Sequence, residues 1–202
     1  MKRIFFILIT LSFYTSSVAF AQESKKMTRK EREEAWRAER LKKKEAEKAR
    51  IEMQDSLDFM QALHAIQNGS WALEASSITF NNGYSEYVTP STNFVSINDG
   101  TAVVQTAFEG NSNIYSPNGL GGITLEGNIT GSEISRDKDG NIYYSYGIQG
   151  SDISATVHVT LNANSNNATA LVIPNFSGRN MSLEGTIYPY NTAGVFEGTP
   201  GY

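Results

Sequence analysis

Two histidines are the residues in this chain that most directly suggest metal or acid–base chemistry, and the chain has no cysteine. His64 and His158 do not form an H-x-H or H-x-x-x-H spacing, so a metal site would need carboxylates from elsewhere in the fold. The lack of cysteine excludes disulfides, thiolate nucleophiles and cysteine-ligated metals. No G-x-S-x-G sequence marks a nucleophilic serine. We therefore expect no metal and no cofactor, and structural or surface roles for both histidines.

A cluster of acidic and amide residues resembles the opening of a calcium loop. It consists of Asp137, Asp139 and Asn141, with Gly140 between the last two. A calcium loop of the EF-hand type needs a bidentate Glu at its twelfth position. That position holds Ile148. The pattern therefore predicts a polar hairpin turn rather than a calcium site.

Paired carboxylates could in principle hydrolyse a glycosidic bond. Glu126 and Glu184 lie on the polar sides of two predicted strands and are the pair that we would name for such a reaction. A carbohydrate-active hydrolase is therefore one alternative function. Solvation of the protein surface is the more ordinary role for such residues, so we favour a protein that is not an enzyme.

Tyrosines near Asn-rich loops form the candidate binding site. Tyrosine has an apolar ring and a polar hydroxyl, which suits amphipathic ligands such as sugars, peptides or lipids. Tyrosine is also common in strands, where it has only a packing role. A small-ligand binder that uses a tyrosine-rich face is thus a further alternative, and its candidate residues are Tyr115, Tyr143, Tyr144 and Tyr146.

These residues lie in a region whose pattern predicts antiparallel strands. Between Gly122 and Leu161, three runs alternate apolar and polar residues with a period of two. Asn98-Asp99-Gly100 is typical of a hairpin turn, and a slip of phase at Ser76-Ser77 indicates a bulge. A last edge segment is predicted at Gly194 to Gly198. We therefore predict a mainly β fold, an eight- or nine-stranded antiparallel barrel or two-layer sandwich.

Two strand sequences echo each other. Ile123 to Ile129 reads ITLEGNI, and Met181 to Ile187 reads MSLEGTI. Two copies are too few for a repeat protein. Gly127 and Gly185 occupy the same place in both, where we expect a small inward residue because another backbone passes closely.

A long N-terminal helix is predicted from Thr28 to Ile66, which contain no Pro and no Gly. Thr28 and Glu31 form a potential capping box, and Asn68-Gly69 provides the stop. Favourable i,i+4 ion pairs are expected between Glu33 and Arg37 and between Glu39 and Lys43. One apolar stripe should pack on the β domain, namely Met53, Leu57, Met60 and His64, flanked by Phe59, Leu63 and Ile66.

Charge is divided unevenly along the chain. Residues 25–50 hold twelve Lys or Arg against six Glu, whereas residues 51–202 hold three against fourteen Asp or Glu, a net charge of −11. The glutamates interleaved in the basic segment argue against nucleic-acid binding. Association between helices of different copies, as a coiled coil, is a third hypothesis for the protein.

The N-terminus has the features of an export signal. Met1-Lys2-Arg3 precedes an apolar run, and Ala19-Phe20-Ala21 fits a cleavage site. The run is shorter than the roughly 20 residues of a membrane-spanning helix. We predict a signal peptide at 1–21, a charged and amphipathic helix at 22–68 and an antiparallel β domain at 69–202. The mature protein is expected to be periplasmic or secreted, with no cysteine for lipidation.

Three stretches carry a resemblance to a known family. They are Trp71 to Ala75, Thr101 to Phe108, and Glu109 to Gly127. Over about Ile66 to Tyr188 the chain resembles exported Bacteroidetes proteins of the domain-of-unknown-function 4251 family. It departs from the family's L-P-Y-F-G-like motif at Gln105 to Gly110, and from its aromatic-Gly signature at Met181 to Gly185. The resemblance implies a divergent member, an exported β domain and nothing catalytic.

These observations favour a non-enzymatic binding or structural protein of the cell envelope. Its partner would be an envelope protein or a glycan, and the helix could support an oligomer. Once the signal is removed, no other segment is apolar enough to span a membrane.

Overall fold

The computed structural model describes residues 27–107, 122–151, 154–175 and 178–198. The chain divides after Lys44 into two compact units, and the helix contributes to both. The elements are helix α1 (Arg29–Gln67), strands β1 (Trp71–Phe80), β2 (Ser85–Tyr87), β3 (Phe94–Asn98), β4 (Thr101–Thr106), β5 (Ile123–Arg136), β6 (Ile142–Gln149), β7 (Ser154–Leu161), β8 (Asn167–Pro174) and β9 (Met181–Pro189), and a short 3-10 helix, Tyr190–Thr192.

Eight strands close into an antiparallel barrel. The order runs β1-β3-β4-β5-β6-β7-β8-β9, and β9 pairs with β1 to complete the ring. Strand β2 is the ninth and lies outside the ring, where it pairs with Ser77 to Thr79 of β1. The predicted mainly β fold, preceded in the chain by a long helix, is confirmed. Closure leaves every strand of the ring paired on both sides, so the barrel form replaces the two-layer alternative.

The register of β1 against β9 shifts between Ala75 and Ser77, which confirms the predicted bulge. Both predicted close approaches of backbone, at the two echoed glycines, also occur. At Gly185, a Cβ atom would lie 1.9 Å from the carbonyl oxygen of Glu74, and at Gly127 it would lie 2.5 Å from the backbone of Gln149. The echoed glycines therefore share a physical cause, since neither strand position has room for a side chain.

The hairpin between β3 and β4 has the predicted turn. Asp99 and Gly100 both have positive φ, 50° and 81°, and Asn98 pairs directly with Thr101. Two consecutive residues with positive φ are typical of a type I′ turn, which suits the twist of the flanking strands.

One cluster of buried side chains lies inside the barrel. Inward positions of the eight strands carry Ile, Val, Leu, Ala and aromatic residues that are buried together in one cluster. An eight-stranded barrel has an interior just wide enough for its side chains or for one small ligand. Here four residues of α1 join the same cluster, namely Phe59, Ala62, Ala65 and Ile66.

The helix begins and ends as predicted, within one residue. The backbone N–H of Thr28 donates to Glu31 (2.7 Å), and the N–H of Glu31 donates to the hydroxyl of Thr28 (3.3 Å), so the capping box forms. At the other end, the N–H of Ser70 donates to the carbonyl of Ala65 and Gly69 has φ +64°. This is the Schellman arrangement expected where a glycine stops a helix.

One of the two predicted ion pairs on the helix is confirmed. Lys43 contacts Glu39 at 2.8 Å. The other glutamate, Glu33, contacts Arg29 at 3.5 Å, one turn toward the N-terminus, rather than Arg37. Both pairs are exposed, so solvent screening leaves each only a small contribution to stability.

The predicted packing face of the helix is wrong at its centre and confirmed at its flanks. Met53, Leu57 and Met60 are 68%, 45% and 63% exposed. The buried residues centre instead on Ala62, with Phe59 and Ile66 beside it. Alanines allow the helix backbone to approach the barrel closely, and the two larger side chains reach its core. Within the described part of the chain, no helix has the length and apolarity needed to cross a membrane.

Candidate functional site

The predicted tyrosine site is divided by the alternation of β6. Tyr144 and Tyr146 point inward and are buried, with ring centroids 4.9 Å apart. Both contact Trp71 edge to face, at 6.2 and 6.4 Å. Tyr143 lies on the outer surface, and Tyr115 lies outside the described residues. The structure therefore does not bring the described tyrosines to one face, and ligand binding by them stays a prediction.

The outward Tyr143 belongs to the polar turn before β6. Its hydroxyl donates to a carboxylate oxygen of Asp137 at 3.1 Å. The same carboxylate accepts the backbone N–H groups of Asp139 and Asn141, both at 2.9 Å, and the side-chain amide of Asn141 at 2.8 Å. The Asn141 amide is the main reason that the pKa of Asp137 lies below its usual value. The predicted hairpin turn is confirmed.

The other predicted metal or acid–base residues lie apart on the surface. His64 is exposed on α1 and its ring nitrogen lies 3.1 Å from the side-chain amide of Asn68. His158 is exposed on the outer side of β7, opposite Leu171. In the described ranges, no group of three or more His, Asp or Glu could hold a metal ion.

The two candidate carboxylates do not form a pair. Glu126 lies on β5 and Glu184 on β9, and in the closed ring three strands separate these two in either direction. Both side chains are exposed on the outside of the barrel. Hydrolysis by two carboxylates needs them about 5–10 Å apart across one substrate. A hydrolase built on Glu126 and Glu184 is therefore ruled out.

Buried polar side chains gather on a part of the barrel that the sequence did not single out. All those found among the described residues lie on β3, β4, β5 or the residue before β3: Asn93, Ser96, Gln105, Thr106 and Thr124. Ser96, Gln105 and Thr124 occupy outward positions, since their neighbours in the strands point into the core. We call the outer surface of β3, β4 and β5 around these three residues the outer wall. Something must cover it, because outward residues of a barrel are normally exposed.

The C-terminal segment, residues 193–198, covers the outer wall at Gln105. The backbone N–H of Phe196 donates to the carbonyl of Ser91 at 2.7 Å. The N–H of Gly194 donates to a carboxylate oxygen of Glu74 at 2.5 Å. These residues belong to no strand, so the predicted edge segment at Gly194 to Gly198 is wrong. They cross the outer wall rather than extending the sheet.

Gln105 is the centre of this arrangement and is fully buried. Its amide nitrogen donates to the carbonyls of Thr92 at 3.0 Å and Phe196 at 2.8 Å. Its amide oxygen accepts the hydroxyl of Thr124 at 2.9 Å and the N–H of Gly198 at 2.7 Å. Both donor hydrogens and both acceptor sites of the amide are therefore used. A satisfied buried network of this kind holds its members in one geometry.

Glu197 lies in the chain between Phe196 and Gly198, the two residues of the C-terminal segment whose backbone Gln105 contacts. Burial raises the pKa of Glu197, and the charge of Glu126 raises it further. Glu126 is exposed on β5, beside the outer wall. The two acidic groups therefore repel each other where the C-terminal segment meets the barrel.

Sequence reasoning could not have found this site. Gln105 lies in an alternating strand, at an outward position where polar residues are usual. Only its contact with a segment about 90 residues further along the chain, Phe196 to Gly198, distinguishes it from an ordinary surface glutamine.

Comparison with known proteins gives a family but no activity. A family model described as a domain of unknown function, DUF4251, matches residues 53–187. The crystal structure of a DUF4251 family protein from Bacteroides eggerthii is 39% identical, with a TM-score of 0.60, over 70% of this chain and 94% of that one. No protein with a curated description matches the chain. The extent of the family match and the solved relative together show that this chain belongs to the DUF4251 family.

Proposed function

We propose that the chain is an exported, non-enzymatic protein of the cell envelope that binds a protein partner through the outward face of helix α1. The observation that carries the proposal is the exposed position of Met53, Leu57 and Met60. These residues form what we call the outward stripe. Export is supported by the charged N-terminal residues, the apolar run that follows them and the Ala-x-Ala sequence at 19–21.

The geometry of the helix supports presentation of this stripe. At about 100° per residue, the three residues lie within about 60° of one another, and Ala62 lies about 180° from Met53. Ala62 is packed in the core cluster. The buried face thus anchors the second half of the helix in the barrel and leaves the outward stripe uncovered by any described residue of that unit.

The chemistry of the stripe favours a protein partner. Apolar anchors at i, i+4 and i+7 are the spacing with which a helix enters an apolar groove. Methionine is flexible and polarizable, and it is frequent at surfaces that adapt to a partner. A glycan would instead need several directed hydrogen-bond groups beside an aromatic ring.

Photo-crosslinking in the native cell envelope tests the proposal. A photo-reactive residue at Met60 should give an adduct heavier than the chain, whereas the same residue at the exposed Tyr87 should not. Leu57→Lys should abolish the Met60 adduct. An adduct of twice the mass of the chain would identify a second copy instead of a different partner. Absence of any adduct at Met60 would reject the interaction role of this face.

Export has a separate test. The mature chain should begin at Gln22 when its N-terminus is sequenced, and it should fractionate with the periplasm or the medium. Recovery of full-length chain from the cytoplasm would contradict the envelope assignment.

A second candidate function, binding of a small ligand inside the barrel, is supported by two polar atoms. The indole N–H of Trp71 and the hydroxyl of Tyr146 are buried and have no hydrogen-bond partner in the described structure. A small molecule with acceptor oxygens could satisfy both groups. The effect of Tyr146→Phe on stability, given in the Discussion, distinguishes this candidate from a closed core.

A further inference from the structure

The C-terminal segment is held to the outer wall mainly by its backbone. Two of the groups that Gln105 contacts are the carbonyl of Phe196 and the N–H of Gly198. Phe196 itself is 62% exposed, so its ring adds little burial. Recognition through backbone groups does not depend on sequence, as in peptides that bind beside a sheet.

Two of the four hydrogen bonds of the Gln105 amide do not involve the C-terminal segment. The carbonyl of Thr92 and the hydroxyl of Thr124 position Gln105 from the side of the wall, at 3.0 and 2.9 Å. A group fixed in advance binds with less loss of conformational entropy than a mobile one. The amide of Gln105 can therefore bind the backbone of any peptide that lies on the outer wall.

The charge of the present occupant fits the wall poorly. Glu197 lies in the chain between Phe196 and Gly198, and Glu126 lies on the outer side of β5, two residues from the Thr124 that contacts the same amide. The charge of Glu126 therefore adds to burial in raising the pKa of Glu197. A cation at the same position of another peptide would be favourable, because Glu126 would attract it, whereas Glu126 repels Glu197.

We propose that the outer wall is a peptide-binding groove, that residues 193–198 are its displaceable internal occupant, and that its ligand in trans is an extended segment of another protein with Lys or Arg at the place of Glu197. The backbone contacts of Gln105 supply affinity, and Glu126 supplies the preference for a cation. The groove lies on β3 to β5 and uses no residue of the outward stripe on the helix.

Fluorescence anisotropy with the full chain and two labelled, end-capped peptides tests the proposal. The peptides are Ala-Gly-Val-Phe-Lys-Gly and Ala-Gly-Val-Phe-Glu-Gly, the second being the chain's own sequence at 193–198. We expect the Lys peptide to bind about threefold to fivefold more tightly, which is the effect of one partly exposed ion pair. Equal binding of the two peptides would overturn the assigned ligand class.

Release of the internal segment should raise affinity in trans. Gly198→Pro removes the N–H that donates to Gln105. Loss of one such hydrogen bond should strengthen peptide binding about fivefold. If neither peptide binds the unmodified chain or the Gly198→Pro variant, the groove does not exist as proposed.

Matched variants assign the two recognition elements. Gln105→Ala should abolish binding of both peptides, whereas Gln149→Ala, an exposed glutamine of β6, should leave both unchanged. Glu126→Gln should remove the preference for the Lys peptide while the Glu peptide still binds, and this readout holds even if Gln105→Ala fails to fold. Retained binding in a folded Gln105→Ala variant, or a retained Lys preference in Glu126→Gln, would contradict the proposal.

Discussion

The carbonyl oxygen of Glu74 lies 1.9 Å from the point that a Cβ atom of Gly185 would occupy. This contact lies at the seam where β9 meets β1 and closes the barrel, beside the bulge at Ala75 and Ser77. The seam joins strands from opposite ends of the β domain. The absence of a side chain at Gly185 therefore allows the ring to close at this seam.

Gly185→Ala should destabilise the protein strongly. The new methyl group would meet backbone, which cannot move aside without opening the seam, and we expect a loss of about 3 kcal/mol. Urea unfolding measures the change. Gly194→Ala is the matched control, since its Cβ would meet nothing closer than 3.7 Å. Its effect should stay within about 0.5 kcal/mol. Similar values for the two variants would refute the close approach.

Neighbouring residues on the helix should differ sharply in their contribution to stability. Phe59 is part of the core cluster and Met60 is exposed. Phe59→Ala should cost about 3 kcal/mol because it leaves a cavity. Met60→Ala should change the free energy of unfolding by no more than about 0.5 kcal/mol. Chemical denaturation of both variants decides whether the buried face is the one described, and the reverse order would restore the face predicted from sequence.

The two inward tyrosines should respond differently to loss of the hydroxyl. Burial raises the pKa of Tyr144, and the side chain of Ser132 beside its hydroxyl opposes that shift, whereas the hydroxyl of Tyr146 has no partner in the described structure. Tyr144→Phe should therefore cost about 1 kcal/mol, and Tyr146→Phe should leave stability unchanged or raise it by up to about 1 kcal/mol. Thermal unfolding of both variants gives the comparison.

A clear loss of stability in Tyr146→Phe would contradict that prediction. It would show that an acceptor or donor inside the barrel satisfies the hydroxyl, and it would favour the small-ligand candidate. Binding could then be followed by the fluorescence of Trp71, with Trp36 replaced by Phe so that only the barrel tryptophan reports.

The turn before β6 should be lost in acid. The pKa of Asp137 in the folded protein is lowered, first by the side-chain amide of Asn141. A lowered pKa means that the contribution of this carboxylate to stability is complete above its unfolded value, about 3.9. The contribution is lost as the pH falls through the folded value. The amide resonances of Asp139 and Asn141 should therefore shift with a midpoint below about pH 3.9. A midpoint above this pH would refute the assignment.

Replacement of the carboxylate gives an independent check on the turn. The hydrogen bond to Asp137 is the largest cause that raises the pKa of the Tyr143 phenol, followed by the charge of that carboxylate. Asp137→Asn should therefore lower the pKa of Tyr143, as measured by ultraviolet titration. An unchanged titration would mean that the hydroxyl of Tyr143 does not contact this carboxylate in solution.

Local patterns were sufficient for much of the fold. The capping box at Thr28, the stop at Gly69 and the positive φ of Gly100 all follow from contacts within a few residues. Strand alternation and the bulge also depend on short-range rules of backbone geometry. These features were predicted with bounds close to those observed, because the residues that cause them are neighbours in the chain.

The choice of helix face shows what local sequence patterns do not predict. Met53, Leu57 and Met60 have the spacing of a packing face, yet Ala62 and its neighbours are buried instead. Hydrophobicity alone favours the larger residues. The shape of the barrel favours small ones, which allow a close approach. That shape exists only after β1 has paired with both β3 and β9.

By itself, then, the sequence determined the class of the fold, the turns, the helix ends and the positions that need glycine. The tertiary structure decided which tyrosines are buried, that Glu126 and Glu184 lie on opposite sides of the ring, and that Gln105 meets the backbone of Phe196 and Gly198. The physical reason is range. Local backbone preferences act between near neighbours, whereas burial and electrostatics depend on segments that only the closed barrel brings together.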